Sequence, residues 1–82
     1  MEKTMEWRDT LVDMPNSDQD FGEAEVERED GTLVRGTIFM DGLDFVDDED
    51  VPIVKVRLAD KSEESIFDFV RWRRVERERN NG

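Results

Sequence analysis

The stretch Gly22-Glu23-Ala24-Glu25-Val26-Glu27-Arg28-Glu29-Asp30-Gly31-Thr32-Leu33-Val34-Arg35-Gly36-Thr37-Ile38-Phe39-Met40 decides the fold. Small or apolar residues alternate with charged ones on both sides of Glu29-Asp30-Gly31, the period-two pattern of two half-buried strands joined by a turn. The length of the turn sets the register. A two-residue Asp30-Gly31 turn would place Val26 opposite Arg35 and Glu27 opposite Val34, mixing apolar and charged residues on both faces. A three-residue loop ending in a left-handed Gly31 pairs Val26 with Val34, Ala24 with Gly36 and Glu25 with Arg35, which separates an apolar face from a charged one. The three-residue loop is therefore predicted.

Downstream, residues 41–50 hold six acids and no base, so mutual repulsion predicts a solvated acidic loop. Val51 to Leu58 reads as a strand with Val54, Val56 and Leu58 on one face, and Ala59-Asp60-Lys61-Ser62 as the turn after it. Residues 62–79 are ambiguous between strand and helix. Glu63 and Glu64 ahead of the arginines suit a helix dipole, but at helical spacing the apolar residues of Ile66 to Val75 spread around the whole circumference, which favours a strand. Residues 76–82 are expected to be a flexible tail. Upstream, Trp7, Leu11 and Met14 suit one face of a short helix stopped by Pro15, or an irregular segment that anchors Trp7 in the core. The division is an N-terminal segment 1–20 with its Trp anchor, a β domain 21–75 carrying the acidic loop 41–50, and the tail 76–82. The fold class is mainly β: a small antiparallel sheet or open barrel of four to five strands, with Trp7 and Trp72 near or in the core.

Composition supports one folded centre. Nine Val and three Ile stand against four Leu and two Ala in 82 residues, a set weighted toward β-branched side chains that pack on a pleated surface. No Cys is present, so neither a disulfide framework nor a thiolate metal site is available. Net charge is −11, but residues 71–82 hold five Arg and two Glu while the rest holds 21 acids against 7 bases. A body of this sign repels nucleic acid and attracts basic surfaces. No signal peptide and no long apolar run is visible, so a soluble, cytoplasmic protein is expected.

Both ends carry a resemblance. Met5-Glu6-Trp7-Arg8-Asp9-Thr10-Leu11 with Met14-Pro15 resembles the Trp-bearing opening of a family of short phage and prophage proteins of unknown function. Phe69-Val70-Arg71-Trp72-Arg73-Arg74-Val75 resembles the V-x-H-W-x-P-L strand that closes them. Here Arg71 replaces the His, Arg74 replaces the Pro, and Val12-Asp13 is inserted before Met14-Pro15. The resemblance implies a small phage-type β protein acting in the host cytoplasm.

Residue chemistry argues against an enzyme. With no His, Cys or Tyr, catalysis would rest on carboxylates, three Lys and a few hydroxyls. No nucleophile elbow or phosphate loop is found, and the acids of residues 41–50 lack the spacing of a calcium loop. No cofactor and no metal site is predicted. The acids themselves carry the functional expectation. Glu23, Glu25, Glu27 and Glu29 alternate along a strand, spacing carboxylates by about 6.8 Å, roughly two phosphate steps on a DNA strand. With Asp47, Asp48, Glu49 and Asp50 they form an acidic face for a basic surface on another protein, as in an inhibitor or nucleic-acid mimic. The competing explanations are a solvated, salt-bridged face and a surface adapted to high salt. The alternative function is a structural or accessory protein that self-associates through a sheet edge or hydrophobic patch. A weaker reading has Arg71, Arg73 and Arg74 contact nucleic acid directly.

Overall fold

The computed structural model describes residues 2–77, with side chains over residues 5–76. Its strands are β1 (Glu2–Thr4), β2 (Arg8–Asp9), β3 (Gly22–Arg28), β4 (Leu33–Val46), β5 (Glu49–Leu58), β6 (Glu63–Ser65) and β7 (Phe69–Arg77), with one 3-10 turn at Ile66–Asp68 before β7. They form one antiparallel sheet in the order β1-β7-β3-β4-β5-β6, and the two-residue β2 also pairs with β7. The chain is mainly β, as expected. The sheet is wider than four or five strands because the N-terminal segment joins it: β1 and β2 both lie along β7, and residues 7–14 form no helix.

β3 is the centre of the fold, pairing with β4 on one side and β7 on the other. Its register on β4 is the one the three-residue loop requires, with Val26 opposite Val34, Ala24 opposite Gly36 and Glu25 opposite Arg35. The Arg28 N–H donates to the Thr32 carbonyl at 2.8 Å, and Gly31 closes the loop at φ 92°. The same geometry recurs at Ala59-Asp60-Lys61, where the Leu58 N–H donates to Ser62 O and Lys61 takes φ 71°. In both loops the central Asp accepts the N–H two residues on, at 2.9 Å.

One face of the sheet carries the core. Ala24, Val26, Ile38, Val54, Val56, Ile66, Phe69 and Trp72 are buried together, with Met14, Phe21, Val34 and Leu58 packed against them. Residues 69–75 are a strand, and Trp72 sits opposite Val26 with its indole N–H donating to the Asp13 carbonyl at 2.9 Å. Trp7 is not in this core. It lies half-buried on the opposite face beneath Arg71 and Arg73, because its neighbour Arg8, one residue on, takes the core side over the Trp72 ring at 4.5 Å.

Two segment boundaries also move. Residues 41–50 are not a loop: β4 continues to Val46 and β5 begins at Glu49, joined by a two-residue turn in which Asp47 and Asp48 have φ 51° and 64°. Two successive positive φ values mark a type I′ hairpin turn, whose twist matches that of the strands. At the other end, β7 extends through Arg77, with Glu76 opposite Lys3, so the sheet takes in two residues expected in the tail. Residues 78–82 of that tail lie outside the described residues.

The matched loops give a paired test. Lys61→Gly removes the cost of an L-residue in the left-handed region and should raise Tm by roughly 2–6 °C, from about 0.5–1 kcal/mol. Gly31→Val should lower Tm by at least as much. Equal melting of all three proteins by circular dichroism would contradict the loop geometry.

Candidate functional site

The outer face of the sheet is a lattice of alternating charge. Glu23, Glu25 and Glu27 project from β3 between rows on β4 and β7. Arg73 donates from its guanidinium to Glu25, and Arg71 donates through Nε and Nη2 to both oxygens of Glu27 at 2.9 and 2.7 Å. Arg35 lies 3.8 Å from Glu23 and from Glu25. The hydrogen bonds from Arg71 hold the Glu27 carboxyl below the usual carboxylate range and push the Arg71 pKa up. The Trp7 ring supports the same two arginines, with guanidinium carbons 5.1 Å and 4.2 Å from its centroid. Glu29 lies in the turn, off this lattice. The three arginines near the C-terminus form no common patch: Arg74 points to the other face and donates to the carbonyls of Glu23 and Gln19 at 3.0 and 2.6 Å.

On the core side, two more arginines close the ends of the apolar cluster. Arg28 stacks on Phe69 at 5.0 Å and donates to both oxygens of Glu64 at 3.0 and 2.7 Å. That contact depresses the Glu64 pKa. Arg8, over Trp72, donates to Asp13 and to the buried Asp20. Next to it a cavity of about 890 Å³ is lined by Met5, Phe21, Trp72 and Arg74 among others. Its two arginines are already committed, Arg8 to carboxylates and Arg74 to carbonyls.

The third feature is the far end of the β4–β5 hairpin. β3 pairs with β4 only as far as Ile38, and β6 pairs with β5 only from Lys55. Beyond those points the two strands run on as an arm, and every residue from 41 to 50 is exposed. The acids expected here are all on it, with Asp47 and Asp48 at the tip and Glu49 and Asp50 just after. Asp41 pairs with Lys55 at 2.8 Å. Among the described residues no cation lies in ion-pair reach of Asp44, Asp47, Asp48, Glu49 or Asp50. Between these acids stand exposed apolar side chains: Leu43 at 59%, Phe45 at 67%, Val46 at 47% and Met40 at 49%.

The structure therefore brings the two expected acidic groups to different places. The β3 row lies within a lattice of arginines, and Asp47 to Asp50 lie at the tip of an arm. The apolar half of the arm was missed in the sequence, although Gly42-Leu43-Asp44-Phe45 carries a period-two signal. No helix among the described residues is long and apolar enough to cross a membrane, and no cluster of three or more acids among them is arranged to hold a metal. Comparison with protein-family models, curated proteins and solved structures finds no match.

The ion pairs make acid stability testable. A carboxyl whose folded pKa lies below its unfolded one adds stability that is complete above the ordinary carboxylate range and is lost as pH falls through the folded value. Glu64, Glu27 and Asp13 are all depressed by an arginine. The wild type should lose Tm between about pH 5 and pH 2. Arg28→Gln should melt lower at pH 7 and show a shallower decline over that window. Parallel curves would show that the Arg28–Glu64 contact does not discriminate the charged form.

Proposed function

We propose that the chain is a non-enzymatic protein-binding module that docks the β4–β5 arm on a basic, partly apolar surface of another protein. The observation carrying this reading is the pairing, on residues 40–51, of exposed apolar side chains with five carboxylates, those of Asp44, Asp47, Asp48, Glu49 and Asp50, that no cation of the described residues neutralises. Isolated exposed apolar residues are ordinary, but a contiguous set rimmed by charge is the composition of an interface. The charge selects the occupant. Two copies meeting arm to arm would bring five uncompensated acids against five, which disfavours self-association, whereas lysines or arginines around an apolar patch would match the arm and be steered to it.

The β3 row supports docking less well. A partner reading Glu25 and Glu27 would have to displace Arg73 and Arg71, which hold them through two hydrogen bonds each.

Two triple variants separate the surfaces. Asp47, Asp48 and Asp50 changed to Asn, and Glu23, Glu25 and Glu27 changed to Gln, each remove three charges. A partner isolated by pull-down at low salt and released at high salt would then be measured against both. The arm variant should associate about tenfold more slowly and lose salt dependence, with Tm unchanged or raised. The β3 variant should bind at nearly the wild-type rate but melt lower, because it strands Arg71 and Arg73. A folded β3 variant that loses binding while the arm variant keeps it would place docking on the sheet face instead.

A further inference from the structure

Resting on that docking reading, we infer that the arm engages its partner through one face only, the core-side stripe of Met40, Leu43, Phe45 and Pro52, and that the matching occupant is a basic amphipathic helix. The register distinguishes the faces. Met40 pairs with Val54 on the core side, Leu43 pairs with Pro52, and two residues of β4, Asp41 and Gly42, stand against the single Ile53 between them. Gly42 takes φ 98° in this bulge. One extra residue flips the side-chain phase. Without it Leu43 and Phe45 would fall on the outer face; with it they continue the core side.

The result is an uneven arm. Its core-side face shows Met40, Leu43, Phe45 and Pro52 with one acid, Asp50, while the outer face mixes Val46 and Val51 with Asp44 and Glu49. The stripe runs roughly 15 Å along the strands, about three turns of a helix. A helix with leucines along one side and lysines flanking them would set apolar against apolar and cations against Asp50 and the Asp47-Asp48 tip.

Strand addition is the competing mode, and both edges of the arm are guarded against it. Val46 and Glu49 flank a two-residue turn, so they form a hydrogen-bonded pair, and by alternation the backbone groups of Leu43, Phe45, Asp50 and Pro52 face outward. On the β4 edge the Phe45 N–H is taken by the Asp44 carboxylate at 2.9 Å. On the β5 edge Pro52 has no N–H to offer. An incoming strand would meet a capped donor on one side and a missing one on the other.

The test uses two synthetic helical peptides of identical Lys/Leu composition, one with leucines aligned in a stripe and one with them dispersed around the helix, titrated by fluorescence anisotropy. The striped peptide should bind the wild type at least tenfold more tightly. Leu43→Ser with Phe45→Ser should abolish the difference, and Val46→Ser with Val51→Ser should change it less than about threefold. All four side chains are exposed, and the emission of buried Trp72 checks that each variant keeps its core. Equal binding of both peptides would overturn the stripe while leaving a charge-driven dock standing. Equal losses in the two double variants would overturn the assignment of faces. Binding of neither peptide would remove the docking reading itself.

Discussion

The parity of β3 is the constraint on which the rest of the structure depends. A strand paired on both sides has one register with each neighbour, and a shift of one residue in either would turn every side chain of that neighbour to the wrong face. With the register as it stands, Val26 lies between Val34 and Trp72 while Glu25 lies between Arg35 and Arg73. Core and charge lattice are the two sides of the same alternation. The apolar side supplies the burial, and the charged side adds specificity, since a slipped β7 would put Arg71 and Arg73 beneath the sheet and leave Glu25 and Glu27 without them.

That lattice changes the meaning of the net charge. A total of −11 suggests a uniformly acidic particle, but the widest face of the sheet is close to neutral because β7, β4 and β5 bring cations to the glutamates of β3 and β6. Arg57, for instance, donates to Glu63 across the β5–β6 pair. The uncompensated acids are displaced to the arm and the loop tips. Five of them, Asp44, Asp47, Asp48, Glu49 and Asp50, lie together on the arm, and a local cluster of one sign speeds encounter with a basic site more than the same charges spread apart.

How much was legible follows from which signals are local. The β3–β4 loop was, because Glu29-Asp30-Gly31 and the flanking alternation admit one register that separates the faces. The stretch Ile66 to Val75 was legible in part: the spread of its apolar residues favoured a strand over a helix, which holds for residues 69–75, but Ile66–Asp68 form a 3-10 turn. The arm was not: six acids in ten residues outweighed the alternation of Leu43, Phe45, Val46 and Val51, and the bulge at Gly42 broke the phase a period-two reading relies on. A pair of aspartates at positive φ is also a weak turn signal beside Asn-Gly. Trp7 was misplaced because its side depends on pairing with β7, a contact more than sixty residues away. Of the expected row, Glu23, Glu25 and Glu27 lie along β3 while Glu29 falls in the turn; Arg35 was legible beside Glu25 from the hairpin register, but Arg71 and Arg73 come from β7, which sequence spacing alone cannot set beside them.

The arm and the sheet obey the same rule in opposite ways. In the sheet, strict alternation buries one set of side chains and pairs the other, leaving little for a partner to read. In the arm a single inserted residue keeps Leu43 and Phe45 in line with the core after the core has ended, so the apolar face continues with nothing packed against it. Such a ribbon would be a hazard if its edges were open, since flat apolar edges template pairing with other chains. Asp44 and Pro52 blunt those edges, and like charge on the surrounding carboxylates opposes the approach of a second copy. On the docking proposal, Leu43 and Phe45 would be buried through their side chains by a surface that supplies positive charge, because the blunted edges leave the apolar face, and not the backbone, as the part of the arm a partner could read.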